Sequence, residues 1–118
     1  MAMRIDEALW TIQFEVAGEW RTGGVVVFDR GRIFGGDSHY YYFGRYAEEG
    51  ALIKGEARIV HFNGPLATGF GNSPDFTVVI EARHHDTTIT GNIHKPEHDG
   101  ARLPIRLVRR ETLPPAIP

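Results

Sequence analysis

Apolar and polar residues alternate along much of this chain with a period of two, the pattern of strands that bury one face. In Trp10-Thr11-Ile12-Gln13-Phe14-Glu15-Val16 the even positions are apolar and the odd ones polar. Ala17-Gly18-Glu19-Trp20 interrupts the run, and Gly23 to Asp29 resumes it through Val25, Val26, Val27 and Phe28. Asp29-Arg30-Gly31-Arg32 reads as a tight hairpin turn, with Gly31 free to take positive φ. Ile33 and Phe34 open a third strand that meets Gly35-Gly36, where paired glycines predict a bulge or sharp bend. Tyr40 to Tyr46 forms a fourth strand, turned at Glu48-Glu49-Gly50. In the fifth, which runs to Phe62, Ala51, Ile53, Gly55, Ala57 and Ile59 alternate with Lys54, Glu56 and Arg58.

Residues 63–75 contain Gly64, Pro65, Gly69, Gly71 and Pro74 and read as a loop, with at most one turn of helix. Phe76, Val78, Ile80 and Ala82 mark a sixth strand, and Ile89, Gly91 and Ile93 a seventh after a turn at Asp86. A turn over Lys95 to Gly100 leads to an eighth strand. Its inner face is Ala101, Leu103, Ile105 and Leu107, with Arg102, Arg106 and Arg110 outward. Pro104 cannot donate to a ladder, which predicts an edge or seam there.

Eight short antiparallel strands joined by short turns make an up-and-down meander. A single layer of this kind leaves its apolar face in water, so the sheet must curl on itself. The expected fold is all-β: a small eight-stranded antiparallel barrel of lipocalin-like form, with a two-sheet sandwich as the competing arrangement. Strand glycines at 35, 36, 55 and 91 suit strands that coil sharply. Residues 1–113 form the domain, and 114–118 a Pro-rich tail.

Composition narrows the function classes. The chain has 118 residues, enough for one core, and its 14 glycines are the one departure from average usage. The absence of cysteine excludes disulfides, zinc–thiolate sites, iron–sulfur clusters and cysteine nucleophiles. The opening residues carry Asp6 and Glu7 and no apolar core of a signal peptide, and no stretch reaches the roughly 18 apolar residues of a spanning helix. The expected location is the cytoplasm, with no membrane partner. A net charge of −2 argues against direct nucleic-acid binding, which works by displacing counterions from phosphates.

Candidate chemistry is sparse. Gly36-Asp37-Ser38 is similar to the nucleophile block of GDS-type esterases, but no later Asp-x-x-His supplies the base. The chain is also too short and too β-rich for that scaffold, so no catalytic residues are assigned and Asp37 and Ser38 are expected to cap a strand end. The histidines at 39, 61, 84, 85, 94 and 98 define no metal site: Pro96 prevents a helix from aligning His94 with His98, and His84 and His85 point to opposite faces of a strand. No metal or other cofactor is expected. Tyr40 and Tyr42 face one side of their strand and Tyr41 and Phe43 the other, so one pair is core and the second is either an outer stripe for a partner or dimer or a face packed over by a loop. Inside a barrel, Trp10, Ile12, Phe14, Phe28, Phe76 and Ile80 could wall a cavity for a small apolar ligand.

Asp29-Arg30-Gly31-Arg32-Ile33-Phe34-Gly35-Gly36-Asp37-Ser38, followed by Tyr40-Tyr41-Tyr42-Phe43-Gly44-Arg45-Tyr46, resembles the GrlR-like family. The likeness extends to Leu9-Trp10-Thr11-Ile12-Gln13-Phe14 and to Phe76-x-Val78-x-Ile80. The family's namesake is a negative regulator of type III secretion genes in enteric bacteria. The resemblance implies a small dimeric barrel that acts by protein–protein contact, sequestering a transcription activator. Its acidic loop falls on Glu48-Glu49-Gly50-Ala51, where two of the namesake's four acids are kept. Tyr46, Glu48 and Glu49 are therefore the expected partner-contact residues, in a non-enzymatic cytoplasmic regulator. A carrier of a small apolar ligand is the alternative.

Overall fold

A computed structural model describes residues 4–66, 73–97 and 100–117. Eight strands follow one another: β1 (Ala8–Val16), β2 (Glu19–Asp29), β3 (Arg32–Gly36), β4 (Tyr40–Glu49), β5 (Leu52–His61), β6 (Asp75–His85), β7 (Thr88–His94) and β8 (Leu103–Thr112). Each pairs antiparallel with the next, and β8 returns to β1, so the sheet is a closed barrel rather than a sandwich. Closure removes both sheet edges, which is how a single sheet this small avoids offering unpaired backbone to another chain.

The alternation places side chains as the pattern predicts. Ala8, Trp10 and Ile12 of β1 point inward, as do Ile53, Ala57 and Ile59 of β5, Phe76 and Val78 of β6, and Ile105 and Leu107 of β8, all buried. In β4 the buried pair is Tyr40 and Tyr42, while Tyr41 and Phe43 stand on the outer face.

The details of β2 and β3 correct the expectation. The first break is only the Ala17-Gly18 turn, whose φ values of +52° and +80° are both positive, and β2 begins at Glu19 rather than Gly23. Two positive φ angles give a turn whose twist matches that of the strands it joins. Arg30-Gly31 turns in the same way. No bulge occurs at Gly35-Gly36, which pair in regular register with Val26-Val25 and with Tyr42-Tyr41. Irregularities lie in β2, where Thr11 pairs with Val25 but Gln13 with Thr22, so Gly23 and Gly24 together stand opposite Ile12, and in β8, where Leu9 pairs with Glu111 but Trp10 with Arg109. Ala101 is exposed and precedes β8 instead of belonging to its inner face. Pro104 lies one residue beyond the last β1–β8 pair, Phe14 with Ile105, so its missing N–H falls where that ladder ends. Of the expected 63–75 loop, Gly69 and Gly71 lie outside the described residues, as does His98.

The two ends of the barrel differ. The end bearing the β2–β3, β4–β5 and β6–β7 hairpins is plugged by the segment before β1. Ile5 is fully buried there, and its carbonyl accepts the Trp10 indole N–H at 3.2 Å. Asp6 accepts hydrogen bonds from the Arg30 backbone N–H and, at 3.1 Å, from the Tyr46 hydroxyl. Glu7 passes through φ +54°, and its carbonyl accepts the Leu113 N–H at 2.8 Å. The N-terminal segment, the β2–β3 turn and the chain beyond β8 are thereby tied into one lid.

Candidate functional site

Among the described residues, the opposite end is open. A cavity of about 710 Å³ enters the barrel there, lined from β1, β2, the β3–β4 turn and β4, and by Ile59 of β5, Pro65, Phe76 of β6, Ile93 of β7 and Leu103 of β8. Its lower wall is apolar: Phe14, Val16, Ile59, Phe76, Ile93 and Leu103. Its rim is polar: Arg21, Thr22, Asp37, Ser38, His39 and the ring of Tyr40. Phe14 and Tyr42, whose rings meet edge to face at 6.4 Å, form the floor. Below them remains an apolar void of about 50 Å³ among Ile12, Phe28, Ile53 and Ile80. A space that small and without polar walls stays dry and holds no ligand.

The rim is built by the turn between β3 and β4. Asp37 accepts the backbone N–H groups of His39 and Tyr40, each at 2.8 Å, and the hydroxyl of Tyr42. One carboxylate thus fixes the loop and locks the floor tyrosine to it. Burial first, then the hydrogen bond and charge of Asp37, raise the Tyr42 hydroxyl far above the ordinary tyrosine range, so it remains a donor at any physiological pH. The expected capping role of Asp37 is what the geometry holds. Ser38 Oγ lies 2.8 Å from His39 Nδ1, a contact between neighbours in sequence, while the Asp37 carboxylate is occupied by the loop backbone and Tyr42.

The six residues expected to wall a cavity divide between the two halves. Phe14 and Phe76 line the open cavity. Ile12, Phe28 and Ile80 surround only the small void. Trp10 is fully buried at the plugged end, with its ring 6.0 Å from that of Phe28. Its bulk fills space instead of enclosing it.

The expected partner-contact residues also separate. Glu48 and Glu49 are exposed on the β4–β5 hairpin. Tyr46 points inward instead, its ring 5.0 Å from Phe28 and its hydroxyl on Asp6. Burial and then the Asp6 charge raise its hydroxyl above the ordinary range. It belongs to the plug. The outer face of the neighbouring strands carries Val25, Tyr41 and Phe43, with Phe43 61% exposed, and Phe62 packs beside Tyr41 at 6.4 Å.

His84 and His85 do face opposite ways: His84 packs edge-on against Trp10 at 6.1 Å and His85 is exposed. His61 Nε2 bonds the Gly64 carbonyl at 2.7 Å. Among the described residues no group of three His, Asp or Glu side chains converges as a metal site. No helix there is long and apolar enough to cross a membrane.

Arg21 is the rim residue that the alternation did not flag. It is paired with Phe14, so it shares Phe14's inward side. Counting the inward phase of β1 back through a two-residue hairpin would have found it.

In comparisons with known proteins, no family model matches this chain, and no curated protein matches it either. The architecture and the cavity therefore define its class: a small closed β-barrel, plugged at one end and, among the described residues, open at the other.

Proposed function

We propose that this protein is a non-enzymatic binding protein that holds a small, largely apolar ligand in the open half of its barrel. The observation that carries this reading is the cavity of about 710 Å³, with an apolar wall and a polar rim. That size and that division of surface suit the capture of small molecules. Eight strands enclose room for one such ligand. Nile red, a neutral dye that brightens in apolar surroundings, is expected to bind with one site per chain. Native mass spectrometry of the purified protein is expected to find a small molecule retained. A protein that neither binds the dye nor retains a ligand would overturn the reading.

A second reading, a regulator that works by contact with another protein such as a transcription regulator or with a second copy of itself, is favoured by a different observation. Val25, Tyr41, Phe43 and Phe62 are exposed apolar residues on one part of the outer surface. Stripes of that kind more often serve interfaces than open water. The GrlR-like motif, with Glu48 and Glu49 exposed beyond it, supports the same reading.

A further inference from the structure

We infer that the cavity selects a single-chain amphiphile with an anionic head, the tail between Phe14, Ile59, Phe76 and Ile93 and the head at Arg21. The inference rests on the ligand-binding reading above and adds the chemistry of the ligand. The tail follows from the wall. The four residues around it are hydrocarbon, and among the described residues Phe14 and Tyr42 close the inner end of the cavity. A chain entering there leaves its head at the rim.

The sign of the head follows from the charges at that rim. Arg21 occupies an inward position opposite Phe14, where the alternation of a filled barrel would place an apolar side chain. Its acidic neighbour, Glu19, lies 3.7 Å away, and the two side chains are 62% and 76% exposed. A pair so solvated holds the guanidinium only weakly. A carboxylate or phosphate offering two oxygens to the same fork makes a stronger contact. The other rim acid, Asp37, is already bonded to His39 N, Tyr40 N and Tyr42 Oη. It therefore repels an incoming anion less than a bare carboxylate would. Ser38 adds a hydroxyl group to the rim. Lys95 places a second cation at the same end, its Nζ 5.1 Å from the ring centre of the wall residue Phe76.

Displacement of Nile red tests the assignment. Dodecanoate, dodecyl phosphate, dodecanol and dodecylamine share one tail and differ in the head. Each is used at concentrations where it is dissolved as the monomer. The anions are expected to displace the dye at concentrations about tenfold lower than the alcohol or amine. The tighter anion tells a carboxylate-bearing from a phosphate-bearing ligand. Arg21→Gln is expected to erase the preference, and Arg21→Lys to restore part of it. Equal displacement by all four, or a preference that survives Arg21→Gln, overturns the headgroup assignment and leaves the cavity reading standing. A protein that binds neither dye nor amphiphile overturns both.

Discussion

A Cβ added at Gly35 would lie 2.9 Å from Val26 Cα and closer still to the Val25 carbonyl oxygen. That absent atom lets β3 approach β2 at the tight curvature a small barrel requires, and no side chain can be tolerated without moving backbone. Gly35→Ala is therefore expected to destabilise the fold by about 1–3 kcal/mol, the usual cost of forcing atoms into a filled space. Gly100, where an added Cβ would meet nothing within 4 Å, is the control, and Gly100→Ala should stay within about 0.5 kcal/mol. Urea unfolding of the three proteins measures the difference. Equal midpoints for Gly35→Ala and wild type would show that β3 yields more easily than its contacts indicate.

Among the elements, the segment before β1 does the work that a helix or extra strand does in larger barrels. Asp6 is its anchor, bonded to the turn at Arg30 and to Tyr46 of β4. Burial pushes its carboxyl upward. The hydrogen bonds from Arg30, Tyr46 and Glu7 and the charge of Arg4 outweigh this and hold it below the ordinary carboxylate range. A carboxyl depressed in the folded state stabilises fully above its unfolded value, about 3.9, and loses that contribution as pH falls through the folded one. Asp6→Asn should cost roughly 1–3 kcal/mol at neutral pH, because it replaces the charged acceptor shared by the Arg30, Tyr46 and Glu7 donors. The gap between variant and wild type should narrow as pH drops below about 4. Thermal unfolding across that range checks it, and a gap that stays constant would exclude the linkage.

The legibility of each element in the sequence follows from what its inward face meets. In β1, β5 and β6 the inward residues are apolar both where they pack in the filled core and where they wall the cavity, so the alternation is plain. At the start of β2 the inward positions include Arg21, which faces the open cavity and its water. There the alternation is free to lapse, and the strand is hidden until Gly23. The bulge at Gly23-Gly24 then shifts the phase by one residue. Paired glycines occur twice, at 23-24 and 35-36, and nothing in composition tells a bulge from a close strand approach. Alternation also reports direction without volume. It marks Trp10 and Phe14 alike as inward, although one fills the plugged end and the other floors a cavity.

At the scale of the molecule the barrel is two halves with opposite tasks, one filled for stability and one left open. The division predicts that substitutions in the two halves have separable effects. Trp10→Ala, in the filled half, removes a fully buried ring and its bond to Ile5. It should cost about 3–5 kcal/mol. Whatever remains folded should still bind Nile red. Leu103→Trp, in the open half, places a large ring in space that the cavity now occupies. It should abolish dye binding while leaving the unfolding midpoint unchanged or higher, since the ring gains wall contacts without displacing core atoms. The same variant separates the two functional readings, because it leaves Val25, Tyr41 and Phe43 on the outer face untouched. A biological role that disappears with dye binding belongs to the cavity. One that survives in Leu103→Trp and fails in Phe43→Glu belongs to the outer face, where a charge would oppose burial of an apolar stripe. The filled half makes this experiment interpretable, because it carries the fold whether the open half is occupied or not.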